Sequence, residues 1–207
     1  MHIKLTNGTP EIYSIGQLRR DNPQTSFPKH PSDELLAKWN VYPYVQQDQP
    51  AYDRLTEKLS EGPIEQIDGV WTKTWTVEQL PFEDARSNMH DHLADIRWRK
   101  ETGGVALPTG QTIQTTREAQ AQVSSTYSSL KDSLVTTADW KTENGWVSVT
   151  LTEFQPIAQV VAAHVQACFA AERQVSEQIE AAQTVSDLTV IDLEAEFQTA
   201  YNALTKQ

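Results

Sequence analysis

Apolar positions along this 207-residue chain recur with two different periods, and the change falls at Leu80-Pro81. Before it, short alternating runs predict strands; after it, steps of three and four predict helices. Residues 3–6 and 11–15 read as strands around Asn7-Gly8, a pair suited to a tight hairpin turn. Residues 17–21 fit a brief helical turn ended by Asn22-Pro23, because a residue before proline is pushed out of the helical region. Ser32 is placed to cap a helix over 33–39 that would bury Leu35, Leu36 and Trp39. Residues 41–51 hold Pro43 and Pro50 and are expected to be extended with few sheet partners. Residues 55–59 and 70–77 then read as a hairpin, its turn region holding Gly62-Pro63 and Asp68-Gly69. Within 70–77, Trp71 and Trp75 share one face and Thr72, Thr74 and Thr76 the other. The tryptophan face either covers a small core or forms a sugar-stacking platform.

Pro81 suits a first helical position, and Phe82, Ala85, Met89, Leu93 and Ile96 put one apolar face on a helix over 82–100. That helix reads as a connector ended by Gly103. Residues 104–107 and 112–115 fit a small hairpin across Pro108-Thr109-Gly110. Thr115-x-x-Glu118 would open a helix burying Ala119, Val123, Tyr127, Leu130 and Leu134. A turn at Glu143-Asn144-Gly145 leads to a strand over 146–151. Thr152-x-x-Gln155 then opens a helix over 153–182, about 45 Å long, with Pro156 in its first turn.

The two halves of this last helix differ. Ile157, Val160, Val161, Val165, Cys168 and Phe169 form a broad stripe that packs on a globular core. Beyond Glu172 only Val175 and Ile179 continue a narrow seam, so this part is expected to project against another subunit or into solvent. Charge substitutions at Val175 and Ile179 are therefore expected to weaken assembly while the domain stays folded. Residues 183–189 read as a loop, and 191–204 as a helix carrying Leu193, Phe197, Tyr201 and Leu204. The fold class is α+β, with a small β-rich N-terminal module followed by a helix–hairpin–helix–hairpin–long-helix domain and a C-terminal helix. The segments are a β-rich attachment module (1–80), a connector helix (81–101), an α+β domain (102–184) and a terminal helix (185–207).

Charge narrows the function classes. The net charge is −11, and residues 152–207 hold two basic against eight acidic groups. Such a chain repels phosphate backbones, so no nucleic-acid partner is expected. The acidic tail is a solvated face or a complement to a basic partner surface. No apolar run reaches the roughly 18 residues that span a membrane, and the N-terminus carries no evident signal peptide, so no membrane partner is expected. Cys168, the single cysteine, lies on an apolar helix face and reads as a buried inert thiol.

Candidate chemistry is sparse. His90 and His92 lie two apart on a helix and point away from each other, whereas zinc helices space their ligands by three or four. With Asp91 and Asp95 they read as a polar patch, and neither metal nor cofactor is expected. His164 sits in the apolar stripe and reads as a hydrogen-bonded packing residue. No phosphate-binding loop or nucleophile elbow is present, and no catalytic residues are assigned. Distant carboxylates could still meet as a glycosidase pair.

Two stretches carry a resemblance. Ile96-Arg97-Trp98-Arg99, Gly103-Gly104-Val105, Gln114-Thr115-Thr116-Arg117, Trp140 with Asn144-Gly145, and residues 160–169 together resemble a domain of unknown function that recurs in tail proteins of tailed phages and prophages. An acidic residue would be expected just after the threonine in that pattern, and Gln114-Thr115-Thr116 departs from it. Residues 13–23, Ser26-Phe27-Pro28, Val41-Tyr42-Pro43 and residues 68–75 resemble the leader such proteins carry. The resemblance implies a virion protein of the tail, made in the bacterial host cytoplasm: a tail-fibre or baseplate adaptor, homo-oligomeric, without enzymatic activity. Its partners would be other tail, baseplate or fibre proteins. The alternatives are a fibre-assembly chaperone that leaves and, remotely, a host-glycan hydrolase. Docking would use Tyr13, Leu18, Arg19, Phe27, Tyr42, Trp71 and Trp75 of the leader and Val175 and Ile179 of the long helix.

Overall fold

The structure, a computed structural model, describes residues 1–107, 110–142 and 145–206. The turn residues Pro108-Thr109 and Glu143-Asn144 lie outside the described residues. The chain is α+β and divides into two compact units, Met1–Leu80 and Pro81–Gln207.

The first unit is a five-stranded sheet in the order β2-β1-β3-β5-β4, with two short helices in its connections. Its strands are β1 (His2–Thr6), β2 (Thr9–Ile12), β3 (Val41–Gln46), β4 (Glu57–Ile67) and β5 (Val70–Gln79). Asn7-Gly8 and Asp68-Gly69 each form a two-residue turn with positive φ at both positions, which matches the twist of the strands they join. The second strand is shorter than the alternation suggests and stops at Ile12. Ser14 and Gln17 form a reciprocal capping box that starts helix α1 (Ile15–Asp21) instead. Helix α2 (Asp33–Ala37) is capped by Ser32 as expected, but it ends two residues early and fully buries only Leu36.

Residues 41–46 overturn the expectation of few sheet partners, because β3 is the central strand. Pro43 is tolerated where the strand changes neighbours: residues 41–43 pair with β1 and residues 44–46 pair in parallel with β5. The proline, lacking an N–H, sits at the handover, and Tyr44 resumes the ladder by donating to the Met1 carbonyl. Gly62-Pro63 is likewise no turn but a bulge within β4, where the register against β5 shifts. A Cβ on Gly62 would come within 2.5 Å of the Thr74 hydroxyl, so only glycine lets the bulge lie this close. The bulge covers the threonine face of β5. Thr72 and Thr74 are buried and Trp71 and Trp75 only half-buried, the reverse of a tryptophan-covered core. Burial is tolerable there because Thr74 donates to the Pro63 carbonyl and Thr72 to the Val70 carbonyl.

The second unit is built on the 31-residue helix α5 (Leu151–Ala181). Around it lie α3 (Phe82–Thr102), hairpin β6 (Val105–Ala106)–β7 (Thr112–Ile113), α4 (Arg117–Lys131), hairpin β8 (Ala138–Thr142)–β9 (Gly145–Val149), α6 (Val185–Thr189) and α7 (Leu193–Thr205). The early part of α5 packs Phe154 and Val161 with Val123 and Leu130 of α4 and Val149 of β9; Trp140 meets Phe154 edge-on at 4.8 Å. Its later part packs against α3 and α7. The α3 helix, expected as a connector, belongs to this unit.

Two caps differ from the sequence expectation by one or two residues. Helix α4 is capped by Thr116, not Thr115, and α5 by Thr150 with Glu153, not by Thr152 with Gln155. Pro156 therefore lies in the second turn, where its missing N–H leaves the carbonyl of exposed Thr152 to water. Leu134 falls beyond the end of α4 and is 75% exposed, not buried. Residues 183–189 are not a loop: Thr184 and Asp187 form a capping box that opens α6.

The projecting seam is the largest correction. Helices α6 and α7 fold back, and Val175 and Ile179 are both fully buried with Leu188 and Phe197. No described helix is long and apolar enough to cross a membrane. Truncation Ile179→Ala should thus cost about 3 kcal/mol in urea unfolding. Val190→Ala, at a residue 82% exposed, should change stability by under about 0.5 kcal/mol.

Candidate functional site

The residues proposed to grip a partner separate into three groups. Tyr13 and Leu18 are buried with Leu36 and Val41, and Phe27 packs against that cluster, edge-on to Trp39 at 5.3 Å. The Tyr13 hydroxyl donates to Asp21. Arg19 donates to the carbonyls of Pro28 and Lys29 at 2.8 and 3.1 Å, so it ties down the loop before α2. These four serve the interior of their own unit, because a short chain closes its core with every large side chain available. Val175 and Ile179 are core residues of the second unit for the same reason.

Only Tyr42, Trp71 and Trp75 are left in a position to meet another surface. Tyr44 is paired with Trp71 in the sheet, so alternation puts Tyr42, Trp71 and Trp75 on one face. All three are half-buried. Lys73 lies between the tryptophans and reaches Glu61 at 3.4 Å, and the Trp75 indole N–H donates to the Gln47 carbonyl at 2.9 Å.

The second unit holds a polar cluster that pattern reading missed. Glu101, in the last turn of α3, is fully buried. Its carboxylate accepts from Arg97 at 2.6 Å and Gln120 at 3.0 Å and lies 3.1 Å from the Arg117 guanidinium. Its backbone carbonyl accepts from the Thr115 hydroxyl, which in turn accepts from the Gly104 N–H at 2.9 Å. Arg97 also reaches Glu172 at 3.0 Å. Burial works against charge on Arg97, but the hydrogen bonds to Glu101 and Glu172 outweigh it and hold the guanidinium above its ordinary pKa. Phe169 and Trp98 lie under the Arg97 and Arg117 guanidinium groups. One signal for this cluster is in the sequence: Arg97 and Glu101 are four apart, a spacing that pairs charges on one helix face.

His164 joins this cluster from α5. Its Nε2 faces the Glu101 carbonyl at 3.2 Å, which can only accept, so Nε2 carries the proton. The other nitrogen, Nδ1, then accepts from the Tyr201 hydroxyl at 2.8 Å. Burial lowers the His164 pKa below its ordinary value, against the raising effect of its backbone hydrogen bonds. Cys168 lies 4.0 Å from Nε2, but burial first, and the Glu101 charge next, push its thiol up to about 11. Both a base and a nucleophile are thus held neutral and engaged. His90, read as part of a polar patch, meets Glu180 at 2.8 Å and Ser176 at 3.5 Å. Among the described residues no three potential ligands converge on a metal position.

Two outcomes follow. Glu101→Ala should destabilise the chain by about 3 kcal/mol in urea, because it strands buried donors of Arg97 and Gln120. For His164 the folded pKa lies below the unfolded value of 6.5, so its contribution is complete above about pH 6.5 and is lost as pH falls through the folded value. The urea midpoint should drop between about pH 7.5 and pH 5.5, and His164→Gln should shrink that drop.

The comparisons with known proteins fit the second unit. No curated protein and no solved structure matches the chain. Residues 84–199, which include most of α3, both hairpins, α4, α5, α6 and about half of α7, match a family described as a domain of unknown function, DUF4376. That match covers more than half of the 207 residues, and the chain belongs to the DUF4376 family.

Proposed function

We propose that this chain is a non-enzymatic structural protein of a phage tail, an adaptor that docks fibres to the tail or baseplate. The observation that carries the reading is the closed state of the polar cluster in the family domain. His164 is bound at both nitrogens, the Cys168 thiol stays protonated, and Glu101 is surrounded by donors. Among the described residues every buried side-chain nitrogen and oxygen has a hydrogen-bond partner. A reaction centre needs a group left free to meet substrate; this interior locks elements together, and function falls to the surface.

The surface has features of a docking protein. Leu134 and Trp146 are 75% and 71% exposed, and Val45, Val70 and Ile12 of the first unit are about half exposed or more. Large apolar residues left open in a chain this acidic favour protein contacts. The resemblance of residues 96–99, 103–105, 114–117 and 160–169, with Trp140 and Asn144-Gly145, to a phage tail domain supplies the setting. The adaptor is a homo-oligomer in this reading. Quantitative mass spectrometry of purified infectious virions tests it: the chain should be present at a fixed ratio to the major tail protein. Abundance in infected-cell lysate with absence from virions would instead make it a fibre-assembly chaperone.

A further inference from the structure

Helices α4 and α5 enclose an apolar groove of about 320 Å³ on the surface of the second unit. Val123 and Tyr127 of α4 and Val161 and Val165 of α5 line it, with Gln159 and Gln166 among its edge residues. Its unusual property is charge. From Ala119 to Leu130 on α4 and from Phe154 to Ala171 on α5 there is no Asp, Glu, Lys or Arg. With 22% of the chain charged, the α5 stretch alone would ordinarily hold about four such residues. The absence is not explained by burial, since Gln159, Ala162, Ala163 and Gln166 are exposed. A helix face that stays in water normally carries charges.

We propose that this face is the self-association surface of the protein, occupied by the same face of a second copy related by a two-fold axis. Charge selects the occupant. Two bodies of net charge −11 repel each other over most approaches, and this neutral face removes both local repulsion and the cost of desolvating ions. The face also matches itself. An antiparallel crossing centred between Ala162 and Ala163 sets each of these alanines opposite the other and Gln159 opposite Gln166. The alanines let the backbones approach closely, and each glutamine amide offers both donors and an acceptor to its counterpart. The uncharged faces of the two helices span roughly 27 by 20 Å, about 500 Å² per copy. That is the low end of specific interfaces, so the dimer should be a micromolar one, suited to copies already held side by side in an assembly. The inference deepens the homo-oligomer of the proposed function by naming its surface, and its test on the purified chain fails or succeeds separately from the virion measurement.

Sedimentation equilibrium of the full chain, from about 2 to 200 μM, provides the test. The wild type should pass from monomer to dimer over this range. Ala162→Glu, at an exposed position, should remain monomeric with an unchanged circular dichroism spectrum, while Gln198→Glu on α7 should dimerise like wild type. Independently, Ala162→Cys should cross-link into covalent dimers under mild oxidation and Leu134→Cys should not. A wild type that stays monomeric at the highest concentration, or an Ala162→Glu chain that dimerises as well as wild type, would overturn the proposal.

Discussion

A carboxylate with no access to water must be enclosed by donors, and in the second unit the enclosure of Glu101 determines how the remaining parts meet. Its partners come from three places in the sequence: Arg97 one turn earlier on α3, Arg117 and Gln120 at the start of α4, and, through the carbonyl, Thr115 before α4 and His164 on α5. The cluster sits where the two packing regions of α5 join. On one side α4 and the hairpins cover Phe154 and Val161; on the other α3 and α7 pack against the part of α5 that holds the buried Val175 and Ile179. A buried ion pair adds little net stability compared with apolar packing, yet losing one member is costly. Enclosing Glu101 takes Arg97 of α3, Arg117 and Gln120 of α4 and the contact of His164 on α5 together, so the cluster is complete only when all three helices meet.

This division between a fixed interior and an available surface frames the functional reading. The groups that elsewhere act as base, nucleophile or metal ligand are engaged within the fold: imidazole with phenol and carbonyl, thiol held neutral by burial, carboxylate with two guanidinium groups and an amide. The stretches 119–130 of α4 and 154–171 of α5 carry no charge in a strongly acidic protein. A polar cluster inside and an uncharged patch outside invert the usual arrangement, and both are consistent with the proposed docking role.

Much of the fold was legible in the sequence, because it rests on local rules. The boundary region at Leu80-Pro81, the turns at Asn7-Gly8 and Asp68-Gly69, the Ser32 cap and the apolar face of α3 each follow from a few adjacent residues. Cap assignments slipped by one or two residues where several threonines compete, as at Thr115-Thr116 and Thr150-Thr152, and only tertiary contacts decide which is used. Pro43 misled because its strand exchanges partners at that residue, a fact of sheet topology. The seam at Val175 and Ile179 looked exposed because its flanks are polar, and only the return of α7 buries it. Of the leader residues read as partner contacts, Tyr13 and Leu18 are buried in their own unit and Phe27 packs against them, and composition could not foretell this because burial inside and burial against another chain draw on the same residues. The Glu101 cluster draws on His164, 63 positions away from Glu101, beyond the reach of any local pattern.

If Glu101 unites the two packing regions, they should open together. Native-state hydrogen exchange on the intact chain addresses this through two amides: Gly104, whose N–H is held by Thr115 next to Glu101, and Val175, deep in the α3–α5–α7 packing. The account predicts a single opening free energy for both, equal to that of global unfolding. Exchange of Gly104 through a separate opening several kcal/mol easier would contradict it, and would leave the cluster a local clasp on one hairpin.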